Sequence, residues 1–261
     1  MSRVALLLAV LAALGVIRLL AADPDALWKV VHDRCVPGQL QRNDPTPCAL
    51  VDLRDGVARG YAVLKDNDPT KAFEYLLIPS ARISGIEDPA AVAPEAVGYF
   101  AAAWAARAEV ESRAGRRLAD EDIGLAVNSK PGRTQNQLHI HVGCLRPEVR
   151  DALRRHAAGI GPTWTLLSEP LAGHVYRVMR IVRSNQPGVN PFRLVADGLP
   201  GAREDMKDET VVVTGATAHE GNVGLYVLES RAEAGQRPPF LGGPGRGEEL
   251  LDHGCAAAKG G

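Results

Sequence analysis

The longest apolar run in the sequence stands at its beginning, directly after the basic residue Arg3. Residues 4–22 are apolar except for Arg18, and this length is close to the ~20 residues that a helix needs to cross a bilayer. A basic start, an apolar stretch and the small pair Ala21-Ala22 are also typical of a cleaved secretory signal. The sequence therefore predicts a signal anchor or a signal peptide over residues 1–22, and both alternatives stay open.

Beyond this segment, apolar and polar residues alternate in short stretches or recur with helical spacing. Alternating stretches bounded by turn-forming residues predict strands at 60–65, 73–78, 123–128, 137–145, 164–167, 175–182, 211–214 and 224–228. Apolar residues spaced by three and four, with a proline in the first turn, predict a helix over 94–113. Two further helices are predicted over 147–159 and 192–199.

Antiparallel strands mixed with separate helices are typical of the α+β class, and the pattern divides the chain into four segments. Residues 1–22 form the N-terminal transmembrane or signal segment, and residues 23–160 hold the strands with the polar motifs. Residues 161–230 are predicted to form a C-terminal α+β extension. Residues 231–261 are dominated by glycine, proline and alanine, which predicts a loose tail.

The charge balance excludes a nucleic-acid binder that relies on a strongly basic surface. The chain has 30 Lys and Arg residues against 31 Asp and Glu residues, and its formal net charge is −1. Charges of one sign form no long run in the sequence. The expected partners are therefore not nucleic acids.

Four cysteines, at positions 35, 48, 144 and 255, favour disulfide bonds if the chain is exported. Cys35 and Cys48 flank a proline-rich loop, so a local bridge between them is one expectation. Four cysteines allow three pairings, and the sequence does not choose among them. A zinc site built on His32 and Cys35 is the alternative, and it is disfavoured because the remaining candidate ligands are scattered.

The candidate chemistry lies in residues 137–143, Gln-Leu-His-Ile-His-Val-Gly. On a strand the three apolar residues of this stretch face the core, while Gln137, His139 and His141 share the opposite face. Imidazoles change charge near neutral pH and attack phosphorus, and they are also common metal ligands. The residues by themselves therefore leave a nucleophile and a metal site open.

The same stretch resembles the signature of the histidine-triad (HIT) superfamily, in which histidines alternate with apolar residues on a strand. The central histidine of that signature matches His139, the third matches His141, and Gln137 stands in place of the first. Thr134 stands where members often carry a serine that binds the phosphate end of the substrate, and Asn128 matches an asparagine found near that phosphate. The resemblance implies a HIT-like antiparallel sheet with packed helices, with residues 23–160 as its catalytic half.

An earlier stretch agrees with this resemblance. Residues 66–69, Asp-Asn-Asp-Pro, and residues 76–79, Leu-Leu-Ile-Pro, resemble the superfamily's pattern of an Asp, a turn proline and a strand that ends in Ile-Pro. The Asp of that pattern usually binds ribose hydroxyls, so the resemblance implies a nucleotide-binding role for Asp66. Arg133 is a further candidate, because its charge is suited to neutralising a phosphate.

Several further stretches are similar to the membrane-anchored bacterial CDP-diacylglycerol pyrophosphatases. They are Pro45-Thr46-Pro47-Cys48, Gly132-Arg133-Thr134-Gln135-Asn136, Cys144-Leu145-Arg146-Pro147-Glu148-Val149-Arg150, Gly173-His174-Val175-Tyr176 and His253-Gly254-Cys255. The resemblance implies a hydrolase of phospholipid metabolism that splits CDP-diacylglycerol into CMP and phosphatidate. It also implies a single span in the bacterial inner membrane, with the catalytic domain on the periplasmic side.

Under this hypothesis His139 attacks the phosphorus attached to cytidine, and a neighbouring carbonyl fixes its tautomer. His141 and Thr134 donate hydrogen bonds to phosphate oxygens, and no metal or other cofactor is expected, because the chain supplies both nucleophile and donors. Gln137 forms hydrogen bonds but cannot carry a proton charge. Activity is therefore expected to survive if the first histidine of the signature orients its neighbours, and to fall if that histidine transfers protons.

Two alternatives stay open at this point. The first is a metal-dependent hydrolase with His139 and His141 as ligands, which needs a third His, Asp or Glu facing them. The second is a non-catalytic envelope protein that binds a nucleotide or a lipid. The sequence leaves the oligomeric state open as well.

Overall fold

A computed structural model of the chain describes residues 23–182, 189–219, 222–232 and 245–259. Its helices are α1 (Ala26–Val30), α2 (Val36–Arg42), α3 (Pro89–Val92), α4 (Tyr99–Ala105), α5 (Arg107–Ala114), α6 (Pro147–His156), α7 (Pro191–Gly198) and α8 (Ala256–Lys259). Its strands are β1 (Leu50–Asp52), β2 (Tyr61–Lys65), β3 (Tyr75–Pro79), β4 (Ile123–Val127), β5 (Ile140–Leu145), β6 (Thr165–Leu166), β7 (Arg177–Val182), β8 (Glu209–His219), β9 (Asn222–Arg231) and β10 (Leu251–Asp252).

The strands form one antiparallel sheet with the order β1-β2-β3-β5-β4-β8-β9-β7-β6. The short strand β10 lies off this path and pairs with the C-terminal end of β5. β1–β5 come from the predicted catalytic half, whereas β6–β9 come from the predicted extension and continue the same sheet. The predicted α+β class with an antiparallel sheet is confirmed.

The largest core lies between one face of the sheet and the helices α4, α5 and α7. Leu138, Ile140 and Val142 are buried in this core, where they pack with residues such as Phe100 and Phe192. The predicted alternation around β5 is therefore confirmed, because the apolar side chains point to one face. His141 then has to lie on the opposite face, since successive side chains of a strand alternate.

Two smaller cores cover the remaining surfaces of the sheet. One lies on the face that carries His141 and packs α6 against strand residues such as Leu145 and Val212. The other packs α1, α2 and the π-helical turn that joins them, Val31–Cys35, against the outer strands β2 and β3. The disulfide between Cys35 and Cys48 belongs to this third core, so the expected local bridge is confirmed.

The sequence pattern placed some elements wrongly. The single helix predicted over 94–113 is two helices, α4 and α5, which are separated at Ala106. The next residue, Arg107, is buried, and its Nη2 donates to Glu111 at 2.9 Å and to the Leu118 carbonyl at 2.5 Å. Because the Leu118 carbonyl lies beyond the end of α5, helical spacing in the sequence does not reveal this contact.

One strand prediction needs correction, and one stretch contains elements that were not predicted. The strand predicted over 137–145 begins only at Ile140, because the backbone N–H of Leu138 donates to the Ile83 carbonyl at 2.7 Å in a loop contact. The sequence pattern predicted no helix or strand between residues 23 and 59, where the structure has α1, α2 and β1. Its apolar residues are too few and too interrupted by prolines and charges to give a clear period.

The prediction of a loose tail is wrong for residues 245–259. This segment contains a 3₁₀ helix, Gly247–Leu250, followed by β10 and α8. Leu250 and Leu251 are buried, and Cys255 forms a disulfide with Cys144 of β5. The cross-link and the two leucines hold the segment against the sheet in spite of its glycine-rich composition.

Other parts of the tail prediction lie outside the described residues, namely 233–244 and 260–261. The signal or anchor predicted over residues 1–22 also lies outside them. Within the part of the chain that the structure describes, no helix has both the length and the apolar character that a membrane span requires.

Candidate active site

A cleft of about 450 Å³ brings together residues from four separate parts of the chain. Its walls come from α1, from the loop between β2 and β3, from the loop that leads into β5, and from the C-terminal segment. The lining residues are Asp23, Ala26, Leu27, Asp66, Asn67, Asp68, Lys71, Leu76, Asn128, Gly132, Arg133, Thr134, Gln135, His139, His141, Arg246 and Glu248. A larger cavity of about 760 Å³, beside Trp164 and Met179, contains neither of the two histidines.

In His139 the backbone fixes the hydrogen on one ring nitrogen, and the other ring nitrogen keeps a lone pair that can attack a substrate. Its Nδ1 lies 2.7 Å from the carbonyl oxygen of Gln137. A carbonyl can only accept, so Nδ1 carries the hydrogen and Nε2 keeps a lone pair. Burial, followed by the nearby charge of His141, lowers the pKa of His139 to about 3. His139 is therefore an uncharged imidazole at neutral pH, which is the form that attacks phosphorus.

Gln137 contributes to the site through its backbone and not through its side chain. The side chain is fully buried, and its Nε2 donates to the carbonyls of Pro79 and Ala81 at 3.1 and 2.9 Å. It is absent from the described lining of the cleft. The Gln137 side chain therefore lies outside the described lining of the cleft: its amide anchors the loop before β5 to the end of β3, and its carbonyl orients His139. Its catalytic role stays a prediction.

His141 lies next to His139, with 4.9 Å between the ring centroids and an interplanar angle of 66°. Its Nδ1 lies 2.6 Å from Oε1 of Glu74. Its Nε2 is buried and has no hydrogen-bond partner within the described residues. A buried nitrogen without a partner is costly, so this atom is prepared for a ligand or a water molecule.

Glu74 is a buried carboxylate that accepts from three side chains. Besides His141, the ammonium group of Lys71 lies 3.0 Å from Oε1, and Nδ1 of His253 lies 2.8 Å from Oε2. Burial by itself raises the pKa of Glu74, but the hydrogen bond and charge of His141, together with Lys71, lower it to about 2. Glu74 is therefore ionised at every pH at which the protein is expected to work.

Lys71 is the cation at the centre of an acidic cluster. It pairs with Glu74, with Oδ2 of Asp66 at 3.4 Å, and with Glu248. Burial lowers the pKa of Lys71, but the hydrogen bonds and charges of Glu248 and Glu74 outweigh burial and raise it, so Lys71 stays charged. Among the described residues, Asp66, Glu74 and His141 form the group that could hold a metal ion, since their ligand atoms lie within 4.8 Å of one another. The ammonium group of Lys71 already neutralises two of those ligands, and His139 does not belong to the group.

The C-terminal segment closes the cleft through contacts with the strand end at Asn128. The Asn128 Nδ2 donates to Oε1 of Glu248 at 3.1 Å, and the backbone N–H of Glu248 donates back to the Asn128 Oδ1 at 3.2 Å. The backbone N–H of Ser129 donates to the Gly245 carbonyl at 2.8 Å. Gly245 has φ +70°, and a Cβ there would lie 1.9 Å from the Ser129 hydroxyl, so this contact requires glycine.

Two arginines line the cleft, and only one of them forms an ion pair with a described carboxylate. The guanidinium of Arg133 binds Glu87 through two hydrogen bonds of 2.6 and 2.8 Å, so a carboxylate already neutralises it. Arg246 is exposed and has no ion pair with any residue that the structure describes. Arg246 is therefore the cation best prepared to receive a phosphate. Thr134 is also exposed in the cleft, with its hydroxyl available to a ligand.

Six of the seven site residues predicted from the sequence line this cleft, Gln137 being the exception. Their roles stay predictions. Sequence reasoning missed Lys71, Glu74, Arg246, Glu248 and His253. Of these, His253 had a signal in the His253-Gly254-Cys255 stretch, whereas the others stand in stretches without a distinctive pattern.

Comparison with known proteins gives an independent finding. A model of the family described as CDH: CDP-diacylglycerol pyrophosphatase matches residues 22–259. A curated protein of Yersinia pestis named CDP-diacylglycerol pyrophosphatase is 39% identical over 255 residues, which cover 96% of this chain and 91% of that protein. The similarity therefore includes the cleft and the C-terminal segment that completes it.

Proposed function

The chain belongs to the CDP-diacylglycerol pyrophosphatase family and is a hydrolase, and we propose that it splits CDP-diacylglycerol into CMP and phosphatidate with His139 as nucleophile. We further propose that the site is of the histidine-triad type, with a HIT-like arrangement of the strands around β5. The observation that carries this proposal is the state of His139. Its hydrogen is held on Nδ1 by the Gln137 carbonyl, and burial keeps the ring uncharged.

The proposed reaction has two steps. In the first, the lone pair on Nε2 of His139 attacks the phosphorus attached to cytidine, and the bond to the lipid phosphate breaks. The electron pair of that bond leaves on the phosphatidate oxygen, and CMP is then bound to the histidine. In the second step a water molecule attacks the same phosphorus, which releases CMP and restores the uncharged imidazole.

The side chains around His139 support a phosphate-transfer site. Arg246 supplies a cation without a described carboxylate partner, so we assign it to the non-bridging oxygens of the substrate. Thr134 donates a hydroxyl hydrogen to the same phosphate oxygens. Arg133 contributes mainly a positive electrostatic potential, because Glu87 already binds its guanidinium group. Asp66 and Asn128 line the same cleft, where we place the ribose and the phosphate end of the nucleotide.

The residues that directly follow the predicted anchor line the cleft, so an anchor in the membrane would hold the cleft close to lipid headgroups. Asp23, Ala26 and Leu27 line the cleft, and the backbone N–H of Asn136 donates to the Pro24 carbonyl at 2.6 Å. We propose that residues 1–22 anchor the enzyme in the inner membrane, which keeps the cleft near lipid headgroups on the periplasmic side. A shortened chain that starts at Asp23 is then expected to lose activity on vesicles but not on detergent micelles. Equal loss on both would contradict the anchor.

The proposed function is tested by CMP release from CDP-diacylglycerol in detergent micelles. The wild-type chain is expected to release CMP, and His139→Ala to lose at least ~10³-fold in rate because the nucleophile is missing. His156→Ala is the matched control, since His156 is partly exposed and paired with Glu169 away from the cleft. Equal rates in wild type and His139→Ala, with both chains folded, would end the nucleophile assignment.

A further inference from the structure

Two residues beside the cleft, Glu74 and His253, have no part in the reaction as described so far. We propose that they are positioning residues that hold His141 as the general base for the second step, an inference that rests on the proposed function. His141 removes a proton from the water that attacks the CMP–His139 intermediate. Glu74 and His253 thereby control how fast that intermediate decays and not how it forms.

The geometry forms a continuous chain of three side chains. His141 Nδ1 lies 2.6 Å from one oxygen of Glu74, and His253 Nδ1 lies 2.8 Å from the other. Glu74 is only 1% exposed, so this carboxylate is screened from bulk water. A carboxylate that bridges two ring nitrogens fixes the orientation of the ring that enters the cleft, as a buried Asp does for the histidine of a hydrolase triad.

The carboxylate also decides which nitrogen of His141 is basic. An ionised carboxylate only accepts hydrogen bonds, so Nδ1 of His141 carries a hydrogen, and in the uncharged form of the ring the lone pair is on Nε2. That Nε2 has no partner within the described residues, and its ring is 4.9 Å from the ring of His139. A water molecule that attacks the phosphorus on His139 is therefore close to an available base.

The other bases of the cleft are engaged elsewhere. Asp66 and Glu248 both pair with Lys71, and Glu248 also accepts from Asn128. Asp68 caps the backbone and hydroxyl of Thr70. In the CMP–His139 intermediate, where Nε2 of His139 is bonded to phosphorus, Nε2 of His141 is thus a base in the described lining of the cleft without a hydrogen-bond partner.

His253 reaches Glu74 because the C-terminal segment is tied to β5. Asp252 pairs with Cys144, and Cys255 is cross-linked to the same residue. Between these two attachments, the backbone N–H of Gly254 donates to the Asp252 side chain at 3.0 Å, which closes a tight turn. The His253-Gly254-Cys255 stretch then has a physical explanation: the cysteine attaches the turn, and the histidine fixes the carboxylate.

The step balances without any further reactant. The water oxygen forms a bond to phosphorus while the phosphorus–Nε2 bond of His139 breaks, and the electron pair returns to Nε2. The proton lost by water goes to Nε2 of His141, which becomes an imidazolium stabilised by Glu74. That proton then passes to solvent as CMP leaves, so both histidines return to their starting forms.

Rapid mixing followed by an alkaline quench separates the two steps, with radioactive cytidine in CDP-diacylglycerol as the probe. Glu74→Gln is the first variant, because an amide accepts from only one of the two imidazoles, while Lys71 keeps Asp66 and Glu248 as partners. We expect steady-state CMP release to fall by ~10²–10³. We also expect the CMP–His139 adduct to rise towards one per chain, since its formation does not need the base.

His253 gives a second and milder test, because its side chain is partly exposed and its replacement is not expected to unfold the chain. His253→Ala should lower steady-state turnover by about tenfold and increase the adduct, since a hydrogen bond to a charged group is lost. His253→Asn keeps an N–H donor in a similar place and should restore both readouts. His156→Ala is the control and should match wild type.

The outcomes separate this inference from the proposed function. If wild type forms the adduct but neither Glu74→Gln nor His253→Ala accumulates it, the role of the two positioning residues is wrong and the nucleophile assignment survives. If no chain forms an adduct while turnover continues, both are wrong. Slowing of adduct formation and adduct decay by the same factor would also overturn the inference, since a merely structural defect affects both steps.

Discussion

The two halves of the sheet have the same strand order, yet one half contains the cleft and the other does not. Outward from the central pair β4–β8, the first half has the order β4-β5-β3-β2, with β1 as an additional edge strand, and the second has β8-β9-β7-β6. At the centre Ala126 pairs with Val212, and the next strands place His141 beside Ala126 and Leu228 beside Val212. The same position therefore holds an imidazole in one half and a buried leucine in the other, which shows that the chemistry depends on side chains and not on strand order.

The two halves of the sheet also differ in the pKa of a buried carboxylate that each contains. Glu74 in the first half has its pKa lowered to about 2, because donors from His141 and Lys71 outweigh burial. Glu209 in the second half has its pKa raised to about 9, first by burial and then by its hydrogen bond with Glu229. Burial raises the pKa at both sites, so the difference comes from the number of donors around each carboxylate.

The largest effect is expected from a substitution in the half of the molecule that contains the cleft. Arg246→Gln should lower kcat/KM by about 10²-fold, because one charged donor to the substrate phosphate is lost. Arg203→Gln is the matched control, since Arg203 is exposed and paired with Asp197 on the other half. Both are measured by CMP release at several substrate concentrations. An Arg246→Gln chain with wild-type kcat/KM would remove this residue from the phosphate site.

The next largest effects are expected from removing each of the two disulfides. Breaking Cys144–Cys255 by the double change to serine releases the segment with Glu248 and His253, so kcat should fall by about tenfold. Breaking Cys35–Cys48 in the same way should lower the free energy of unfolding by about 3 kcal/mol while kcat stays near wild type. Both are assayed well below their unfolding temperatures. Equal loss of kcat in the two variants would contradict a specific role for the C-terminal segment.

The acidic pair of the second half should affect stability and leave activity alone. Since folding raises the pKa of Glu209 from 4.5 to about 9, its contribution to stability is present below pH 4.5 and is lost as pH rises towards 9. Glu209→Gln should therefore raise the free energy of unfolding at pH 9 by on the order of 2 kcal/mol, with little change at pH 4. Denaturant unfolding at both pH values measures this. A variant equally stabilised at pH 4 and pH 9 would show that ionisation is not the cause.

The smallest effect is expected from chelation of metal ions. Lys71 already neutralises Asp66 and Glu74, so activity should stay within twofold after treatment with EDTA. The measurement is CMP release before and after dialysis against the chelator. Loss of activity that a divalent cation restores would favour the metal-dependent alternative, with the Asp66, Glu74 and His141 cluster as its site.

The sequence was informative where the decisive contacts are local. Alternation around β5 correctly placed Ile140 and Val142 in the core, and the resemblance brought His139 and His141 to one cleft. The hydrogen of His139 is fixed by Gln137, only two residues away, so a neighbouring carbonyl was also correctly predicted. Short-range geometry of this kind follows from the strand period and the chemistry of the imidazole.

The sequence was uninformative where the decisive contacts are distant. Glu74 and His253 are 179 positions apart, and neither has a local pattern that points to the other. The glycine-rich composition of the tail predicted disorder, although a disulfide and two buried leucines hold residues 245–259 in place. The sequence did not predict the buried anchoring contacts of the Gln137 side chain, because its partners, the Pro79 and Ala81 carbonyls, lie far away in sequence.

The most direct measurement of the central claim is the identification of the covalent intermediate. The wild-type chain is mixed with CDP-diacylglycerol labelled in cytidine, quenched in alkali within milliseconds, digested and mapped by mass spectrometry. Cytidylate bound to a ring nitrogen of His139, formed and consumed at least as fast as steady-state turnover, is the predicted result. Steady CMP production with the label never found on His139, or found on another residue at the turnover rate, would contradict the account.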